Sequence, residues 1–180
     1  MDKLIIIGAG GHGKVVADAA FASKKFKDIA FLDDKYNQLN TQKKLLIWNL
    51  IGNIHEVNNS KIRDEYNSAF VAIGDAKLRI ELINRLKKLG YKLPIIKHPT
   101  AWTSEFTSIG AGTILLASSN LQTGSIIGEG CILNTGCILE HDVNVADGVH
   151  ICPGVSIAGN TKIGKILGLA LVRRLKNKSI

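Results

Sequence analysis

No stretch of eighteen uninterrupted apolar residues occurs in this chain, and Met1 to Gly8 run straight into an apolar strand without a charged-then-apolar leader. We therefore expect a soluble, cytoplasmic protein with no membrane insertion. Cysteine is scarce: Cys131, Cys137 and Cys152 are odd in number and lack the paired short spacings of a zinc site. That argues against disulfides and against a bound metal, and leaves the three thiols as small, soft core fillers. Aromatic residues make up 6% of the chain and are not interleaved with its lysines, so nucleic acid is not an expected partner. What charge there is lies unevenly. Residues 1–98 carry 17 basic and 10 acidic groups, residues 99–165 carry 2 and 5, and residues 166–180 carry 4 and 0. A basic first part is compatible with a phosphate-bearing ligand.

What the chain does have is a repeat. Between Ser108 and Lys165 an aliphatic residue recurs every six positions: Ile109, Leu115, Leu121, Ile127, Leu133, Leu139, Val145, Ile151, Ile157 and Ile163. A helix repeats near 3.6 residues and a strand near 2, so a period of six describes a solenoid of short strands and tight turns. Three residues after each aliphatic stands a small or turn-permissive residue: Gly112, Ser118, Gly124, Gly130, Gly136, Asp142, Gly148, Gly154 and Asn160. These would form the corners of a three-sided prism whose aliphatics point inward and whose coils share one core.

The first 98 residues alternate strand and helix signals. The apolar run Leu4 to Ile7 stops at Gly8-Ala-Gly-Gly-His-Gly13, and a helix pattern follows. Gly8, Gly10 and Gly13 satisfy G-x-G-x-x-G, which lets backbone N–H groups approach a phosphate at a helix start. A second strand, Ile29 to Leu32, ends in Asp33-Asp34, which could accept hydrogen bonds from a ribose or a base, or could simply cap the loop. Ala69 to Ile73 closes on Gly74-Asp75, and a helix presents Leu78, Leu82, Leu86 and Leu89 on one face, with Gly90 as its stop. Leu93 to Lys97 reads as a last strand before His98-Pro99. Residues 36–68 carry no legible site. His12, in a loop of glycines with little core to occupy, is expected to face a ligand.

Taken in order, Gly8-Ala-Gly-Gly-His-Gly13, Phe31-Leu-Asp-Asp34, Val71-Ala-Ile-Gly74, Asn134-Thr-Gly-Cys-Ile-Leu-Glu-His-Asp142 and Gly159-Asn-Thr-Lys-Ile-Gly164 resemble one family. It is the bacterial sugar O- and N-acetyltransferases, in which an α/β Rossmann-like domain precedes an all-β left-handed parallel β-helix; UDP-4-amino-sugar N-acetyltransferases of the bacillosamine type are the nearest members. The resemblance implies a Rossmann-like domain over residues 1–98 and a β-helix over residues 99–165. It makes His141 the catalytic base and Asp142 its acidic partner, with Glu140 as the fallback. It places His150 at the thioester end of acetyl-CoA, the co-substrate, and Gly159 along the pantetheine. The nucleotide sugar, a UDP-sugar, would touch Gly10, Gly11, His12, Asp33, Asp34 and Gly74. It further implies a homotrimer with active sites between neighbouring β-helices. The chemistry of the residues agrees: an amine or hydroxyl attacking a thioester must lose a proton, and an imidazole held by a carboxylate is suited to take it.

After Lys165 the repeat fails, and residues 166–180 read as a short amphipathic helix or a frayed basic tail, although Leu169 and Leu175 stay on the period of six. A family-like Asn-Ser-Trp-Ile-Gly-Ile-Gly, encoded AAT TCT TGG ATT GGC ATT GGC, becomes Ile-Leu-Gly-Leu-Ala-Leu on loss of one A. We therefore expect a frameshift product truncated at its C-terminus, with coils missing that would carry part of the CoA surface. The leading expectation is acetyl transfer to the 4-amino group of a UDP-linked 4-amino-4,6-dideoxy sugar for surface glycan synthesis. Sialic-acid-type O-acetylation, an inactive trimer that only binds nucleotide sugar, and an NAD-binding oxidoreductase are the alternatives.

Overall fold

The computed structural model describes residues 1–37, 43–164 and a short strand at Arg174–Leu175. Its first part is built from β1 (Asp2–Ile7), α1 (Gly11–Ala22), β2 (Phe26–Leu32), β3 (Lys44–Leu45), β4 (Trp48–Gly52), α2 (Ser60–Glu65), β5 (Ser68–Val71) and α3 (Ala76–Lys88). The strands form one sheet in the order β3-β4-β2-β1-β5, parallel throughout except for the β3–β4 hairpin. Alternation divides its side chains cleanly. Leu4, Ile6, Phe31 and Phe70 pack with α1 on one face, and Ile5, Ile7, Leu32 and Val71 with α3 on the other. Because β2 and β5 leave β1 on opposite sides, a crevice opens beyond the C-terminal ends of β1 and β5, the usual ligand position in such sheets.

Two expectations change here. The buried face of α3 is Arg79, Leu82, Ile83 and Leu86, while Leu78 is 43% exposed. Leu78 sits beside the Asp75 cap in the first turn, while its neighbour Arg79 takes the side that meets the β-helix. The strand expected at Leu93 to Lys97 does not join the α/β sheet: Ile96–Lys97, β6, pairs with Ile114–Leu115 and is the first rung of the solenoid. Residues 36–68, illegible in the sequence, hold the β3–β4 hairpin, a 3-10 turn at Ile54–Asn58 and α2.

The repeat folds as expected. Its two-residue strands stack in three parallel sheets with a step of 18 residues. On the first face Trp102, Asn120, Ile138 and Ser156 are stacked neighbours; on the second Ser108, Ile126, Asn144 and Lys162; on the third Ile96, Ile114, Ile132 and His150. The period-six aliphatics point inward, and Leu115, Leu121, Leu133, Leu139 and Ile157 are buried together with all three cysteines. Burying each such aliphatic contributes about 1.5–3 kcal/mol. All nine expected corner residues take positive φ, between 57° and 73°, including Ser118, Asp142 and Asn160.

The tail from 165 onward lies outside the described residues, apart from Arg174–Leu175. That pair forms a strand in register with Ser156–Ile157, eighteen residues earlier.

The third face is the junction between the two parts. Its outward residues Ile96, Ile114 and Ile132 are buried in the same cluster as Leu4, Phe31 and α1. Arg79 of α3, 1% exposed, fastens the junction from the side. Its Nη1 donates to the carbonyls of Ile73 (2.7 Å) and Gly74 (2.9 Å), Nε to Gly130 (2.8 Å) and Nη2 to Gly148 (2.7 Å).

Candidate active site

His141 and Asp142 occupy the corner between the first and second faces. Asp142 holds the left-handed corner at φ 58°, and from there its carboxylate reaches the neighbouring ring: His141 Nδ1–H donates to Asp142 Oδ2 at 2.8 Å. The shorter acid therefore suffices and Glu140 is not needed as partner. With a carboxylate fixing the proton on Nδ1, Nε2 keeps its lone pair, the tautomer a general base requires. Both side chains are more than half exposed, as a corner demands.

The pair is held in place by glycines one coil away on either side. A Cβ on Gly159 would stand 2.5 Å from His141 Nε2 and 2.7 Å from Cε1, so the ring lies against that bare backbone. A Cβ on Gly124 would overlap Asp142 Oδ1. Gly159, expected along a pantetheine, is the seat of the imidazole. Gly124 was read only as a corner; its 18-residue offset from Asp142 is the signal that would have revealed it.

A second polar cluster lies at the junction. His12, at the start of α1, is turned toward the β-helix rather than toward solvent, and its Nε2 is buried without a partner. Burial first, then repulsion from His150 and Arg79, draws its pKa from 6.5 down to about 4. His150 is also lowered, by burial and then by Arg79. Its tautomer follows from Asn134. That amide's Oδ1 accepts from Thr135 N at 2.8 Å, which points Nδ2 at His150 Nε2 at 2.9 Å. Nε2 is therefore the acceptor, and the proton sits on Nδ1, buried and unpaired. Three buried side-chain polar atoms lack partners among the described residues, and two belong to these histidines. An orphaned buried donor or acceptor costs about 1–3 kcal/mol, a deficit that a bound ligand removes. Asn134, which the sequence reading gave no role, sets which nitrogen is offered.

The neutral state of His12 has a testable consequence. Below pH 6.5 the unfolded chain takes up a proton that the folded chain refuses until about pH 4. Stability should therefore be intact at neutral pH and fall through that window as acid is added, by roughly 3 kcal/mol at most. Thermal melts of His12→Asn over the same range should show a shallower decline; an unchanged slope would show that other groups carry it.

The glycine loop lies at the crevice of the α/β unit. Gly10, Gly11 and Gly74 have open space where a Cβ would stand, so the floor at the crevice is bare backbone. Gly10, the N-cap of α1, supplies no side-chain cap, which leaves the first-turn N–H groups available to an anion. Asp33 does not project freely into this space. Its Oδ2 accepts from Ala9 N at 2.7 Å and its Oδ1 from Lys35 N at 2.9 Å, tying the loop to the end of β2. Asp34 is exposed and accepts from Ile54 N at 3.3 Å.

Within one chain, then, the structure brings His12 to His150 and the glycine loop to Gly74. It does not bring His141 to either: the His141 corner lies across the prism from the third face, where His150 and the α/β unit sit.

Comparison with known proteins fits this architecture. The family model described as PglD N-terminal domain matches residues 3–86. The acetyltransferase domain of PglB from Neisseria gonorrhoeae FA1090 superposes with a TM-score of 0.84 at 38% identity, covering 92% of this chain and 78% of that one. The chain belongs to the family of sugar acetyltransferases with a left-handed β-helix. That PglB domain has also been solved in complex with acetyl coenzyme A. Another family member, PerB from Caulobacter crescentus in complex with CoA and GDP-perosamine, has a TM-score of 0.81 at 28% identity, with 91% of this chain and 74% of that one covered. UDP-N-acetylbacillosamine N-acetyltransferase of Bacillus subtilis (strain 168) is 31% identical over 117 residues, 65% of this chain. The chain spans about half the length of that curated relative, 52%.

Proposed function

We propose that the protein transfers an acetyl group from acetyl-CoA to the 4-amino group of a UDP-linked 4-amino-4,6-dideoxy sugar. The observation that carries this reading is the outward-facing His141–Asp142 pair seated on Gly159 and Gly124. His141 Nε2 accepts the amine proton as nitrogen adds to the thioester carbonyl, and the imidazolium returns it to the departing sulfur, so the ring ends neutral. Asp142 keeps the ring in the one tautomer that can do this. The buried Nδ1–H of His150 and the amide of Asn134 fit an acceptor oxygen near the thioester, the bare glycine floor and the start of α1 fit the sugar's diphosphate, and Gly159 borders the pantetheine.

In this reading residues 1–98 hold the sugar nucleotide and residues 99–165 the acetyl donor. The named substrates of the relatives are amino sugars, which favours nitrogen over oxygen as acceptor. The oxidoreductase alternative loses its main support because Asp33 is engaged in holding the loop. Release of CoA thiol with a UDP-4-amino sugar, and little with a sialic acid, is the expected result; the reverse preference would overturn the assignment of the acceptor.

Because His141 and the glycine loop face opposite ways in one chain, we propose a homotrimer whose sites each combine residues of two chains. His141→Asn and Gly11→Val should each be nearly inactive alone. Denatured together and refolded, they should regain a substantial part of the wild-type rate, since some sites in a mixed trimer contain no substitution. A mixture that assembles yet stays inactive would place the whole site within one chain.

A further inference from the structure

The β3–β4 hairpin is turned by Leu46 and Ile47, with Leu45 and Trp48 paired directly before and after them. Such a two-residue turn favours Asn-Gly or a leading glycine, because its first residue needs positive φ. Here Leu46 holds φ 56°, and the two side chains are 60% and 69% exposed. Two large aliphatics are thus placed in water, one of them in a strained backbone, where small polar residues would fold more easily. They are not alone. Phe21 at the end of α1, 59% exposed, meets the Trp48 ring edge-on at 5.8 Å and extends the apolar surface.

The surroundings of this tip are basic. The register of β4 on β2, with Asn49 beside Ala30, brings the turn to the level of Lys27 and Asp28 at the N-terminal edge of the sheet. Lys24, Lys27, Lys43 and Lys44 are exposed around it, and none of them is in an ion pair among the described residues. Lys43 lies over the Tyr36 ring. The acids at that edge, Asp2, Asp28 and Glu65, are already paired with Lys92 or Lys3. Asp18, one turn before Phe21, is the acidic group on that stretch of α1. The glycine loop and Gly74 lie at the opposite, C-terminal edge of the same strands, so whatever covers the hairpin leaves the crevice open.

We propose that this hairpin docks the protein on an anionic lipid bilayer, with Leu46 and Ile47 inserted among the headgroups, Trp48 and Phe21 at the interface and the lysines on lipid phosphates. An aliphatic tip flanked by several lysines suits such a surface, since apolar insertion and attraction to anionic lipid reinforce each other. Among the described residues no helix is long and apolar enough to cross the bilayer. A protein partner would supply acidic side chains in a complementary socket, whereas a tip of two residues is well matched to the shallow interface of a membrane.

Co-sedimentation of the full chain with vesicles tests the inference. Binding is expected to vesicles containing phosphatidylglycerol, to weaken with salt, and to be at least about tenfold weaker for phosphatidylcholine alone, since each lysine near an anionic surface is worth roughly fivefold. Leu46→Asn combined with Ile47→Gly installs a favoured turn, so it should fold at least as well, keep its acetyl transfer to a soluble acceptor, and lose about tenfold or more in vesicle affinity. Absence of wild-type binding at low salt, or equal binding by the double variant, overturns the proposal. So does self-association of the wild type that the double variant abolishes, which would assign the hairpin to a second copy.

Discussion

His141→Asn is expected to lower kcat by about 10²–10⁴-fold while KM for both substrates changes by no more than a few-fold. Asparagine is smaller than the ring, but its amide can still donate to Asp142, so the exposed corner keeps its backbone and loses the capacity to take a proton. The partition between kcat and KM is the informative readout, because a residue that merely shaped the pocket would raise KM. Asp142→Asn should give a smaller loss, since the imidazole remains but its tautomer is no longer fixed. Gly159→Ala offers an independent check. The added methyl would occupy the place where His141 Nε2 now lies, at 2.5 Å, so the ring must swing off its seat. We expect a fall in kcat approaching that of His141→Asn with little change in thermal stability, because the corner is exposed and the coils on either side are intact. A His141→Asn protein that retains most of its turnover would remove this histidine from the chemistry.

The solenoid was readable because each of its rules is local. A positive φ is required at every corner, and glycine, serine, aspartate or asparagine supplied it at all nine positions. An inward aliphatic is required at every sixth residue, and nothing distant competes for it. The same logic located His141, since a corner turns its side chains outward. What could not be read depends on contacts that sequence distance hides. Leu78 and Arg79 are neighbours on α3, and apolarity alone selects Leu78 for the core; the structure buries Arg79 instead, because its acceptors are carbonyls 51 and 69 residues further on. His12 looked ligand-facing in a loop of glycines, yet its environment is set by His150, which only the packing of one unit on the other brings near. The β3–β4 hairpin escaped notice for a different reason: Leu46-Ile47 contradicts the turn chemistry by which such hairpins are recognised. Gly124 and Gly159 carry a signal that was present but unread, the 18-residue step that sets each against its partner in the next coil.

Arg79 is the position where substitution should weaken the fold most. Its guanidinium supplies four hydrogen bonds to carbonyls on two structural units: Ile73 and Gly74 on the α/β side, Gly130 and Gly148 on the β-helix side. The acceptors are neutral, so the cost of burying the charge, seen in a pKa drawn below its usual value, is offset by these hydrogen bonds together with the attraction of the Asp75 carboxylate. Arg79→Met would keep an unbranched apolar stem and remove that burial cost, but would leave buried carbonyls without donors at about 1–3 kcal/mol each. We expect a net destabilisation of about 3–5 kcal/mol, equivalent to a fall in Tm of roughly 10 °C for a chain of this size. Arg79→Lys should recover less than half of it, because an ammonium cannot span acceptors that the planar fork reaches on both sides. The form of the transition discriminates further. With the junction fastened, calorimetry of the wild type should show one cooperative peak; with it released, the α/β unit should melt ahead of the solenoid, whose core of stacked aliphatics does not depend on Arg79. The looser Gly74 loop would also raise KM for the sugar nucleotide with kcat nearly unchanged, the opposite signature to His141→Asn. An Arg79→Met protein within 1 kcal/mol of wild type, melting in a single transition, would show that the apolar contacts of Ile96, Ile114 and Ile132 hold the junction by themselves.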